Sequence, residues 1–190
     1  NELIKDLSVS FEIKLKSKNI SVNKNFISEH CFVMCDPNKV IRVLNNLIEN
    51  AIKFTQINGK IEIKIELGEL KNKYYISIIN YGICIDKNEQ KYIFEAFYKS
   101  DKSRNINKKG SGLGLYIVKK ILSLHGENIK VNSNFTPGTE FIFTLEKADI
   151  NPDVKDLDDN NKIDRIRSKS EIKIESKIKS EEETKWDELL

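Results

Sequence analysis

The chain has 190 residues, 32% of them charged and 39% hydrophobic, with a formal net charge of +3. That length holds one ordinary domain plus an appendage, and so small a charge does not support a nucleic-acid partner. Cys31, Cys35 and Cys84 show neither disulfide nor zinc spacing and read as free thiols in a reducing compartment. No apolar run is long enough to span a bilayer, and no segment has the pattern of a signal peptide. The first residue is Asn1 rather than Met, as expected of a piece of a longer chain.

Leu3, Ile4, Leu7, Phe11 and Leu15 recur at helical spacing and predict one short amphipathic helix over 2–17. Ile20-Ser21-Val22 and the run from Cys31 to Cys35 are short β candidates. Asp36-Pro37 has the form of a helix N-cap with proline in the first turn, and the helix it opens runs to about Phe54. Asn58-Gly59 is a turn. From Lys60 to Leu67, apolar residues alternate with Lys and Glu, the pattern of a half-buried strand with a solvated face. Tyr74 to Ile79 is a second, more apolar strand that ends at Asn80-Tyr81-Gly82. Asn88 to Tyr98 predicts a helix with Ile93, Phe94 and Phe97 inward. Lys99 to Lys109 is polar, basic and without periodicity, hence a flexible loop. Leu113 to His125 is helical and stops at Gly126. Ile129 to Val131 and Thr139 to Leu145 close the domain as strands, with Pro137-Gly138 as the turn. From Ala148 onward acidic residues outnumber basic ones 13 to 9, and Trp186 is the one aromatic residue. We therefore expect a folded domain over 1–147 and a charged, disordered tail over 148–190.

Two segments carry chemistry. Asn46, Asn50 and Lys53 fall at i, i+4 and i+7, so they line one helix face, while Val40, Val43, Leu44, Leu47, Ile48, Ala51 and Ile52 line the other. Alone, that polar stripe would read as a solvated face. Gly110-Ser111-Gly112-Leu113-Gly114-Leu115 is a glycine-rich turn opening a helix, an arrangement that offers backbone N–H groups to an anion. Together they point to a nucleotide site built from two helices and the loop between them. His30 and His125 read as structural; an imidazolium at 125 would suit the negative end of its helix.

The order of these segments resembles the ATP-binding domain of sensor histidine kinases, within the GHKL superfamily shared with gyrase, Hsp90 and MutL. The resemblance covers about residues 1–147. It is carried by an N-box (Leu44 to Thr55), an F-box (Ile93-Phe94-Glu95-Ala96-Phe97-Tyr98) and a glycine box (Gly110 to Val118). It implies an α/β two-layer sandwich, the Bergerat ATP-binding fold, in which a mixed, mainly antiparallel sheet is covered on one face by helices. ATP and Mg²⁺ are the implied cofactors. The resemblance implies that Asn50 ligates Mg²⁺, that Asn46 supports the metal or its waters, that Lys53 meets a phosphate and that Phe54 stacks near adenine. Glu49 is the implied base that polarises the phosphoacceptor. The resemblance implies that Gly112 and Gly114 let backbone amides approach the phosphates and that Gly110, Leu113 and Leu115 also contact the nucleotide. Lys99, Lys102, Arg104, Lys108 and Lys109 lie in or beside the ATP lid.

The first glycine box departs from the family's Asp-x-Gly-x-Gly-Ile. The matching residues are Asn80-Tyr81-Gly82-Ile83-Cys84-Ile85, of which Asn80, Gly82 and Ile85 are the implied nucleotide contacts. Asn80 accepts through an amide oxygen without the negative charge of aspartate, a version also found in kinases resembling vancomycin-resistance sensors. The implied function is transfer of the ATP γ-phosphoryl group to a histidine on a separate helical hairpin domain, in cis or in trans. The alternatives are a serine kinase of the anti-sigma type and a non-catalytic nucleotide-gated binding module. A downstream response regulator, a homodimeric parent and a cytoplasmic setting, free or as the cytoplasmic part of a membrane-bound sensor, are further implications. No nucleic acid and no membrane insertion of this segment are expected.

Overall fold

The computed structural model describes residues 1–68, 72–100, 111–133 and 138–148. The expected tail beyond Ala148, Pro137 of the expected turn and residues 101–109 of the basic loop lie outside them; Ala148 itself is buried and gives its N–H to Phe32 O at 2.9 Å. Helices α1 (Glu2–Ser10), α2 (Glu12–Ser17), α3 (Pro37–Phe54) and α4 (Gly114–Leu124) accompany strands β1 (Ser21–Phe26), β2 (Lys60–Leu67), β3 (Lys73–Asn80), β4 (Ile129–Asn132) and β5 (Thr139–Glu146). The five strands form one sheet in the order β1-β2-β3-β5-β4. β1 runs parallel to β2 and every other pairing is antiparallel. The mixed sheet and its helical layer are the expected α/β sandwich.

α3 carries the core. Asp36 caps it by accepting from the N–H groups of Asn38 and Lys39 at 2.9 and 3.2 Å, and Pro37 fills the first turn, where no donor is needed. Its stripe of Val40, Val43, Leu44, Leu47, Ile48, Ala51 and Ile52 is fully buried. It meets Val118 and Leu122 of α4 and, from the sheet, Ile61, Ile63, Ile78 and Phe143. On β3 the residues facing this core fall at every second position, Tyr74, Ile76 and Ile78, and the same period brings Asn80 to the core face at the strand's end. Asn80 pairs across the ladder with Thr139, the first residue of β5.

Several expectations need correction. The single helix over 2–17 is two, divided at Phe11 (φ −96°, ψ 0°), a break that accompanies burial of the Phe11 ring. The strand expected over 31–35 shrinks to one bridge between Val33 and Lys147, because Asp36 and Pro37 already begin α3. The solvated face of β2 is not uniformly wet. Glu62 is buried, with Oε1 accepting from Asn25 at 2.6 Å and Oε2 from the Tyr81 hydroxyl at 3.0 Å. The expected helix over 88–98 is a succession of turns whose bonds mix i−3 and i−4 acceptors. Ile93 is buried and Phe94 meets Phe141 edge-on at 6.3 Å, but Phe97 is 72% exposed. Phe97 has φ +64° and gives its N–H to Gly112 O, so its backbone faces inward and its ring turns out. His125 has the structural role expected of it: its Nδ1 lies 2.8 Å from Ile121 O and its Nε2 accepts the N–H of Asp36 at 3.1 Å. It thereby ties the end of α4 to the cap of α3.

Candidate nucleotide site

A cavity of about 550 Å³ opens between the C-terminal half of α3, the start of α4 and the adjoining ends of β3 and β5. Of the sequence-predicted residues, Asn46, Glu49, Asn50, Lys53, Phe54, Asn80, Ile85, Lys99, Gly112, Gly114 and Leu115 line it. Gly82 and Leu113 are not among the residues that line it. Gly110 lies outside the described residues, as do Lys102, Arg104, Lys108 and Lys109.

One end is cationic and built on helix termini. Lys53 and Lys99 both line it. Burial holds the Lys53 ammonium below the ordinary lysine range, and the charge of Lys99 lowers it further. The Lys53 Nζ also lies 4.5 Å over the centre of the Phe54 ring. Asn46 donates to Arg42 O at 2.8 Å, which leaves its oxygen outward. That oxygen would lie 2.9 Å from a Cβ on Gly114, so the helix start approaches Asn46 this closely only with glycine there. Gly112 has φ +76°, and a Cβ on it would lie 2.8 Å from the Phe97 backbone. The two amide oxygens of Asn46 and Asn50 are hard donors that could share a divalent cation with a ligand's phosphates. Among the described residues no cluster of His, Cys, Asp or Glu offers another metal site.

The other end is apolar, walled by Ile52, Ile83, Ile85, Ile93 and Phe141. Asn80 and Thr139, each 2% exposed, sit on its floor. The Asn80 Nδ2 atom is buried without a hydrogen-bond partner. The 80–85 turn is held by strand pairing and by side chains. Gly82 bridges Thr55, and a Cβ on it would lie 2.3 Å from Phe54 O. Thr139 donates to Ile83 O at 3.0 Å, and Ser133 accepts the N–H of Ile85 at 2.9 Å. The Cys84 sulfur accepts the N–H of Gly138 at 3.2 Å. Cysteine in place of the family's glycine therefore has a local bonding role.

Sequence reasoning missed three contributors. Lys18 donates to the carbonyls of Ile52, Lys53 and Thr55 at 2.8, 3.0 and 3.1 Å, capping the end of α3 with a cation. A lysine eight residues past Leu-rich α1 gives no signal of that. Lys14 pairs with Glu49 at 2.8 Å, and both are more than half exposed. Thr139 was visible only as a strand residue.

Residues 35–149 match the family described as histidine kinase-, DNA gyrase B- and HSP90-like ATPases. Sensor histidine kinase WalK of Bacillus subtilis is 34% identical over 130 residues, covering 68% of this chain and 21% of WalK. Histidine protein kinase SaeS of Staphylococcus aureus is 33% identical over 150 residues, covering 79% of this chain and 43% of SaeS. The chain thus spans less than half the length of these curated relatives. The catalytic domain of histidine kinase ThkA superposes with a TM-score of 0.68 at 35% identity, covering 77% of this chain and 93% of that domain. ThkA has also been solved in complex with the response regulator protein TrrA, and that kinase chain matches with a TM-score of 0.66 at 34% identity, over 78% of this chain and 40% of its own length. The fold is a two-layer α/β sandwich, and the chain belongs to the histidine kinase-, DNA gyrase B- and HSP90-like ATPase family, on its histidine-kinase branch.

Proposed function

We propose that this chain binds Mg²⁺-ATP and transfers the γ-phosphoryl group to a histidine on a separate helical hairpin domain. The observation that carries the reading is the polarity of one cavity. Two lysines, two asparagines and a glycine turn stand at one end, and an apolar floor with an unpartnered amide stands at the other. That is the complement of a nucleoside triphosphate, anionic at one end and flat and largely apolar at the other. Phosphates would lie toward Lys53, Lys99 and the N–H groups around Gly112, with the base toward Asn80. A magnesium ion held by Asn50, with Asn46 supporting it, would neutralise charge on the phosphates. Phosphoryl transfer asks for little beyond such positioning and neutralisation.

Glu49 would polarise the acceptor imidazole. Its pair with Lys14 is exposed, and such pairs contribute under about 1 kcal/mol, so it can open on docking. The acceptor belongs to another domain. His30 stacks on Phe32 in an exposed segment, and both nitrogens of His125 are engaged. Histidine kinase relatives and the ThkA–TrrA complex support a response regulator as the downstream partner.

Labelled ATP, the chain and its cognate hairpin domain should give an acid-labile, base-stable adduct on the hairpin and none on the isolated chain. Asn50→Ala should lower that transfer about a thousandfold with the melting temperature unchanged. Self-labelling on His30 or His125, or full transfer by Asn50→Ala, would sink the proposal.

A further inference from the structure

We infer that Asn80 makes this a site for 6-keto as well as 6-amino purine triphosphates, with the hypoxanthine nucleotide accepted beside ATP. The inference rests on the base lying toward Asn80, as proposed above. Asn80 is the polar side chain at the buried end of the cavity whose donor is uncommitted. Its Nδ2 has no partner, whereas the Thr139 hydroxyl beside it is engaged by Ile83 O and Ser133. A buried N–H without an acceptor carries a desolvation cost that an acceptor on the ligand removes. An exocyclic amino group cannot be that acceptor; a ring nitrogen or a keto oxygen can.

The carboxamide is complementary to both purine edges. Against adenine, Oδ1 accepts from the 6-amino group and Nδ2 donates to N1. After a half-turn about the last side-chain bond, Nδ2 donates to a 6-keto oxygen and Oδ1 accepts from the N1–H. The two orientations cost the protein the same pair of bonds. A carboxylate at 80 offers acceptors only, so it would face a keto oxygen with repulsion. Backbone constraints do not change between the two residues, because Asn80 sits in a regular strand. The purine edge is therefore read by this one side chain, set on the floor by the register of β3 against β5.

Dissociation constants of Mg²⁺-ATP and Mg²⁺-ITP on the full chain test this. ITP isolates the 6-position, since it lacks the 2-amino group of GTP. ITP should bind the native chain within about tenfold of ATP. In Asn80→Asp the gap should widen to about a hundredfold or more, with ATP tighter and ITP weaker. A native gap beyond tenfold overturns the inference while leaving the ATP site intact, as does an Asn80→Asp variant whose gap is unchanged. Absence of ATP binding overturns both this inference and the proposed function. Should Asn80→Asp fail to fold, the native ratio alone decides.

Discussion

The two ends of the cavity are built differently. The phosphate end consists of side chains and N–H groups on one helix end, one helix start and one glycine turn, and its cations repel each other. The base end consists of four segments, the ends of β3, β4 and β5 and the 80–85 turn, cross-linked by the bonds of Ser133, Thr139 and Cys84. One end stores electrostatic potential for a ligand. The other stores shape. The expected consequence is that damage at the base end shows first as lost stability, and damage at the phosphate end as lost affinity at full stability.

Gly82→Ala should break the comparison most visibly. Its Cβ would enter within 2.3 Å of Phe54 O, a backbone atom that cannot swing aside. The Thr55–Gly82 bridge would part, with a loss of about 3 kcal/mol of stability, by analogy with overpacked cores. Thermal unfolding should show a melting point lower by several degrees. At the phosphate end, Gly114→Ala meets the tip of the Asn46 side chain at 2.9 Å. That group can rotate, so the melting point should stay nearly constant while ATP affinity falls about tenfold. Equal melting points for the two variants would erase the contrast.

The same contrast explains what could be read from the sequence. Asn46, Asn50 and Lys53 share one helix face, so their spacing alone brings them together. Gly112 and Gly114 announce themselves as glycines before an apolar helical run. The base end has no such local signature. Asn80 and Thr139 lie 59 positions apart, and their meeting is a matter of sheet register. The Lys18 cap and the Lys14–Glu49 pair are likewise tertiary contacts with no period to betray them. The failed helix over 88–98 has the opposite cause. Its residues can form a helix, but the bond from Phe97 to Gly112 and the positive φ at Phe97 hold the segment in turns.

Lys53 sharpens the comparison through pH. Its folded pKa is lowered, by burial first and by Lys99 second, from the ordinary value of 10.5. A bound phosphate favours the ammonium form, so binding stabilises the proton on Lys53. Affinity for ATP is therefore full below the lowered pKa and falls as the pH rises through it, at a lower pH than an ordinary lysine would give. Titration of ATP binding between neutral and alkaline pH should show this fall. Lys53→Met should flatten that limb and weaken binding at neutral pH about tenfold, as expected for loss of a charge-assisted contact. A limb that persists in Lys53→Met would assign the titration to another group.

The smallest effect is at the cysteines, and it probes the base end without altering it. Cys35 is buried, and burial together with the neighbouring Asp36 carboxylate pushes its thiol up to about 12, so it holds almost no thiolate at neutral pH. Cys31 and Cys84 are both partly accessible. Only Cys84 lines the cavity, where its sulfur accepts from Gly138. Alkylation by iodoacetamide, followed by peptide mass analysis, should therefore leave Cys35 unmodified while Cys31 and Cys84 react. Saturating ATP should slow Cys84 several-fold and leave Cys31 unchanged, because a base over Asn80 covers the turn that bears Cys84. Protection of Cys31 to the same degree would mean that ATP tightens the whole domain instead of filling this end. Undiminished Cys84 labelling under saturating ATP would place the base somewhere other than above the 80–85 turn. The phosphate end could then still be right while the base end was wrong.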